Sequence, residues 1–391
     1  MADLNYLFLL LLPVAAASGW FAASKKSYSS KARDSGRLSS EYFKGLNYLL
    51  NEQQDKAIEV FLHMAEVDNE TVETHFALGN LFGRRGEVDR AIRIHQNLIA
   101  RDTLTVDQRA QALQALAEDY MRAGLFDRAE DLFKELTQCC ESHPRALRHL
   151  IDIYEQEKDW ISAVEATREL ARQTGGNFDS VMAQYYCELA EQATERGDKS
   201  AAMRNLDRAL TTDPKCVRAS ILYGSLYEEA GEFAKAIDVY KQVEEQDIEY
   251  VPEVIDGLLG CYEKLDKPYD VMPYLADLVQ KSSGLSAMLA LADLIQRRDG
   301  DEEAEFFITE QLRRRPSVMG LDQLIRVHMK NSDQVARENL KILLDLTQKL
   351  LTNKPNYLCV KCGFKGRSLH WQCPGCKRWH TMKPVHGVEG E

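Results

Sequence analysis

The chain has 391 residues, 45% hydrophobic and 28% charged, which excludes a disordered chain and exceeds what one compact core usually holds. Its net charge of −12 is uneven: residues 24–37 carry five Lys/Arg against Asp34, and residues 356–391 carry six Lys/Arg against Glu389 and Glu391. The body between them is therefore strongly acidic, which argues against nucleic acid as the main partner.

Leu4 to Ala23 is a 20-residue stretch with no charged residue. As a helix it spans about 30 Å, the thickness of a bilayer core. A cleaved signal peptide would explain the run Ala15-Ala16-Ala17-Ser18, but only Asp3 precedes the apolar stretch, and a signal peptide wants positive charge there. The positive charges follow instead. By the positive-inside rule the rest of the chain stays in the cytoplasm, with Trp20 as an interfacial anchor. The expectation is a transmembrane anchor over 1–23 and a basic juxtamembrane linker over 24–37. The competing reading is a periplasmic protein released by cleavage.

From Leu38 onward, Leu, Ala, Glu, Lys and Arg predict helices, and small residues recur at a fixed interval. Ala57 to Ala91 is 34 residues; Ala129, Ala163, Ala202, Ala236, Val271 and Ala304 follow after 38, 34, 39, 34, 35 and 33. Small residues also recur as Gly45, Gly79, Ala117, Ala190, Gly224 and Ala292. An aromatic comes three residues later in most units: Tyr48, Phe82, Tyr120 and Tyr227. Gly86, Gly124, Gly197 and Gly231 mark turns. The stretch Thr71 to Leu98 resembles the tetratricopeptide (TPR) pattern, and its period matches. Each unit is a helical hairpin that cannot bury its apolar face alone, so the units must stack. The predicted fold is all-α: a TPR superhelical solenoid over 38–355 of about eight to nine repeats, the last being Ser317 to Lys354. Such an array binds protein partners and supplies no chemistry. His63, His75, His95, His143, His149 and His328 share no spacing, and surface or packing roles are expected of them. No nucleophile elbow or phosphate loop is present, so no catalytic residue is expected.

Nine cysteines divide into two groups. Cys139, Cys140, Cys187, Cys216 and Cys261 are scattered among helices and form no secreted disulfide framework, which fits a reducing compartment. Cys139 and Cys140 are adjacent, with a buried or incidental role expected. The other four sit in the tail, Tyr357 to Trp379, YLCVKCGFKGRSLHWQCPGCKRW. Cys359 and Cys362 form one C-x-x-C pair, and Cys373 and Cys376 the other. Each pair aims two thiolates at one metal; Gly363 eases the first knuckle, and Pro374 and Gly375 turn the second. Four thiolates favour a tetrahedral site for zinc or a single iron. They fill the coordination sphere and leave no position for substrate, so hydrolysis at the metal is not expected. A structural role is preferred to electron transfer, because the loop between the pairs is short and no partner redox motif accompanies it. Trp371 and Trp379 are expected to cover this tiny core.

A single N-terminal anchor, a TPR array and a C-x-x-C-G-F … C-P-x-C tail together resemble the lipopolysaccharide assembly protein B (LapB) family of Gram-negative bacteria. The residues carrying the resemblance are Gln53 to Leu62, Leu78 to Gln96, Ala123 to Phe133 and the cysteine tail. The resemblance implies a scaffold of the inner membrane that faces the cytoplasm and regulates lipopolysaccharide synthesis. It implies an adaptor between the membrane protease FtsH and the lipid A pathway deacetylase LpxC, whose turnover it promotes. It also implies a rubredoxin-like module over 356–391, with iron the usual metal on Cys359, Cys362, Cys373 and Cys376. Compared with a free rubredoxin, the knuckles are much closer in sequence. The alternative function is a rubredoxin-type electron-transfer protein on a TPR scaffold.

Overall fold

The structure, a computed structural model, describes residues 41–67, 72–139, 143–281, 284–352 and 354–387. The expected anchor and basic linker lie outside these residues, as does Cys140. Among the described residues no helix is long and apolar enough to cross a membrane.

The described chain is mostly helical, and its helices come in sequential hairpins. It divides into two compact units, one ending at Ile153 and one beginning at Tyr154. The first holds α1 (41–50), α2 (Gln54–Val67), α3 (Val72–Arg84), α4 (Val88–Ile99), α5 (Val106–Arg122), α6 (Phe126–Cys139) and the start of α7 (Pro144–Glu157). The second holds the end of α7, then α8 (Trp160–Thr174), α9 (Asp179–Glu195), α10 (Lys199–Thr212), α11 (Val217–Glu229) and α12 (Phe233–Gln246). A 3₁₀ turn (Ile248–Tyr250) leads into α13 (Pro252–Lys264), α14 (Met272–Lys281), α15 (Leu285–Asp299), α16 (Asp301–Arg314), α17 (Val318–Asn331) and α18 (Gln334–Leu351). Three short strands close the chain: β1 (Tyr357–Cys359), β2 (Lys365–Gly366) and β3 (Met382–Pro384).

The sequence period has a direct packing cause. Ala57, Ala91, Ala129, Ala163, Ala202, Ala236, Val271 and Ala304 are all fully buried, each on the second helix of its hairpin except Val271, which immediately precedes α14. Four residues further on stands a larger residue, such as Phe61, His95, Phe133 or Tyr240. It packs on the small residue of the first helix. A Cβ at Gly45 would lie 2.6 Å from the Phe61 ring, and one at Gly224 would lie 2.2 Å from Tyr240. Glycine is therefore required at these positions, where a ring lies directly against the first helix. In the first unit, Ala57, Phe61, Met64, Leu78, Leu81 and Phe82 make one core. In the second, a longer cluster runs from Val217 through Tyr250 and Leu258 to Leu294.

The turn inside most hairpins uses one left-handed residue. Gly86, Gly124, Gly197 and Gly231 fill it with φ between 74° and 80°, and Glu52, Lys158 and Asp266 occupy the same register at 56–58°. The next residue caps the second helix where chemistry allows. Asp159 and Asp198 accept from the N–H groups of Ser162 and Ala201, whereas Glu87 and Glu232 make no such bond. A glutamate is one methylene too long for the short reach of an N-cap.

Candidate metal centre and its docking surface

β1 is the middle strand of an antiparallel sheet ordered β2-β1-β3, pairing Tyr357 with Gly366 and Cys359 with Met382. This sheet brings the two knuckles face to face. In the first, the Gly363 N–H donates to the Cys359 carbonyl at 2.9 Å, and the Cys359 N–H to the Phe364 carbonyl at 2.8 Å. The second repeats the pattern: Lys377 N–H to Cys373 carbonyl at 2.8 Å, and Cys373 N–H to Arg378 carbonyl at 2.9 Å. The residue after each second cysteine is left-handed, Gly363 at φ 76° and Lys377 at φ 56°. Gly375 has a different task, since a Cβ there would meet the Cys362 Sγ and Phe364, both at 3.4 Å.

The four Sγ atoms lie within 4.8 Å of one another, with Cys359 to Cys376 at 3.8 Å and Cys362 to Cys373 at 3.6 Å. Sulfurs about 2.3 Å from one metal in a tetrahedron stand about 3.8 Å apart, so this donor set fits a single tetrahedral ion. Cys359 and Cys373 are buried and Cys362 is exposed. Burial alone would raise the Cys359 thiol, but the Thr381 hydroxyl and the backbone N–H groups of Cys362 and Lys361 pull it down to about 6. A thiolate is the ligand form, so Cys359 is poised to bind. At Cys362 the Phe364 N–H favours the thiolate, but the neighbouring sulfurs push the thiol up to about 12, and that proton must leave when a metal enters.

The module's own core is Cys359, Cys373 and Met382, with Tyr357, Phe364 and Leu369 against it. The two tryptophans do not cover that core. They face the helices instead. Trp379 meets Trp160 of α8 and Tyr185 of α9 edge-on, at ring distances of 6.0 and 5.8 Å. Its Nε1 donates to Glu155 at 2.8 Å, and the Gln372 amide donates to the other oxygen of that carboxylate at 2.9 Å. Trp371 stacks on Tyr250 at 5.5 Å, and the Tyr250 hydroxyl donates to the Met382 carbonyl at 2.7 Å. Tyr357 donates to Glu253 at 2.5 Å. Lys383 pairs with Asp247 and, at 3.0 Å, with Glu249. Burial would raise Asp247, but His380 and Lys383 hold it at about 2. Beneath both tryptophans lies Arg218, 3% exposed, its charge met by Glu188 at 2.8 Å and Glu191 at 2.9 Å.

The docking residues thus sit on α7, α8, α9, α11, the 3₁₀ turn and α13, in the middle of the helical series. The sequence shows the module's cysteines but not this surface. Glu155, Tyr185 and Arg218 look like ordinary members of amphipathic helices. Tyr250 carried no signal either, since the interval that holds it, 35, exceeds the period by a single residue. Of the scattered cysteines, Cys187 and Cys216 meet at 3.8 Å in a buried pair, and Cys261 donates to Glu228 at 3.1 Å. Of the histidines, His95 is buried against Asp119 at 2.6 Å, and His149 stacks on Phe133 at 4.9 Å.

The family described as rubredoxin metal binding domain matches residues 357–384, and the tetratricopeptide repeat family matches 76–144, 115–178 and 187–250. Lipopolysaccharide assembly protein B of Escherichia coli K12 is 41% identical over 385 residues, covering 98% of this chain and 99% of that one. The protein of that name in Haemophilus influenzae is 35% identical over 393 residues, with the same coverage. Among solved structures, the TPR protein YrrB shares 16% identity over 49% of this chain and 93% of its own, with a TM-score of 0.33; an overlap this partial carries no argument.

Proposed function

Because this chain belongs to the lipopolysaccharide assembly protein B family, we propose that it acts in lipopolysaccharide assembly as a non-enzymatic scaffold. The observation that carries the reading is the near full-length similarity. Helical repeats and a closed four-cysteine module occur in one order, with no open coordination position for a substrate. In this reading residues 1–23 hold the protein in the inner membrane as a single span, and 24–37 form the linker. The repeats of 38–355 wind into a superhelix whose concave face takes protein partners. The client is the deacetylase LpxC, presented to the membrane protease FtsH for degradation. Cys359, Cys362, Cys373 and Cys376 hold one iron, with zinc as the alternative, and the ion supplies folding energy to residues 356–391. The bonds from Glu155, Tyr250 and Glu253 support a structural use of the module, since they tie it to the repeats on several sides.

Depletion of the protein tests the adaptor role. The deacetylase level should rise, and a level that stays flat would sink that role. Metal analysis of natively expressed protein decides between iron and zinc.

A further inference from the structure

α18 is the last helix of the series, and among the described residues no later hairpin covers it. Its inner face meets α17, where Thr347 is buried and donates to Asp322 at 3.0 Å. Its outer face is apolar. Val335, Ile342, Leu343, Leu346 and Leu350 are between 49% and 72% exposed. At 3.6 residues per turn they fill an arc about 100° wide, the width of a core-facing stripe. A terminal hairpin in a repeat array ordinarily turns a polar face to solvent.

The charges beside this stripe identify its occupant. Glu338 and Lys349 border it on the flank away from α17, and neither makes an ion pair with a described residue. Under a twofold axis the two complement each other. A second α18 running antiparallel, with the axis between Leu343 and Leu344, sets Glu338 opposite the partner's Lys349 and Lys349 opposite the partner's Glu338. The same register keeps Val335 within about one turn of the partner's Leu350 and places Ile342, Leu343 and Leu346 at the centre. A parallel copy would turn this flank away from the partner's and make neither pair. Same-flank contacts are what an antiparallel helix pair makes, and a twofold repeats each contact twice.

We infer that the outer face of α18 is a self-association surface on which a second copy of this chain docks antiparallel. The test is zero-length carbodiimide coupling on the full-length protein, in membranes and in detergent, with the cross-linked peptides identified by mass spectrometry. Glu338 and Lys349 are eleven residues apart on one helix, about 16 Å, so a direct link between them forms only between two copies. The expected result is that link, together with a dimer mass. Both should be lost in Ile342→Glu and Leu346→Glu, with helix ellipticity unchanged because both positions are exposed. Glu338→Lys alone should weaken self-association roughly three- to tenfold, and Glu338→Lys with Lys349→Glu should recover it. A monomer throughout, a dimer indifferent to Leu346→Glu, or coupling of Glu338 to a different protein would each overturn the inference.

Discussion

Glu118 shows how much one side chain gains from its surroundings. It accepts from Gln114 at 3.0 Å, pairs with Arg145 at 2.9 Å and lies 3.7 Å from His149. Burial would raise its carboxyl, but the His149 and Gln114 bonds and the Arg145 charge lower it from 4.5 to about 2. A depressed folded value means that its stabilisation is full above pH 4.5 and is lost as pH falls through 2. Replacing it should therefore remove part of the acid sensitivity. In Glu118→Gln the urea midpoint should fall less steeply between pH 4.5 and 2 than in the parent, by on the order of 1 kcal/mol after allowing for solvent screening. Equal slopes would show that Glu118 titrates as if free. None of this was legible in the sequence, where Glu118 is one acidic residue among 61 Asp and Glu. His95 is the opposite case. It lies within the TPR-like stretch Thr71 to Leu98, where packing was one of the two roles expected of it, and it is fully enclosed over Gly79, where a Cβ would come within 2.4 Å of its Nε2. The pairing with Asp119, 24 residues away, needed the fold.

At the scale of the element, the hairpin turn separates what is required from what is tolerated. Four of its left-handed positions are glycine, and these were readable as turns. Glu52, Lys158 and Asp266 adopt the same backbone at about 1 kcal/mol each, which no local pattern announces. Lys158→Gly should stabilise the protein by about 0.5–1 kcal/mol, read as a higher urea midpoint, because the strain relieved exceeds the chain entropy added. The neighbouring cap offers a second check. Glu232→Asp places a carboxylate where Asp198 already caps its helix, and a gain of about 0.5–1 kcal/mol is expected. An unchanged midpoint would mean that α12 frays at its start regardless of the cap.

For the whole molecule, the metal module is where local chemistry and long-range packing meet. Three of the four tryptophans, Trp160, Trp371 and Trp379, lie at its contact with the helices. Removing the metal with a chelator should loosen the module and red-shift tryptophan emission, while helix ellipticity is largely retained. Emission that stays put after complete metal loss would show that docking does not depend on the ion. Cys359→Ser should reproduce the chelated spectrum.

The sequence by itself determined the helical hairpins, their period and the pairing of cysteines into one site. These rest on short-range rules: small residues must recur where helices touch, and two C-x-x-C knuckles suffice to shape a metal site. Only the tertiary structure decided where the module sits and which residues receive it. Glu155 and Trp379 are 224 residues apart, and nothing near either marks it for the other. Their match depends on the shape and charge of surfaces that exist only once the helices have packed. The same holds for α18, whose apolar spacing was visible in the sequence but whose exposure was not.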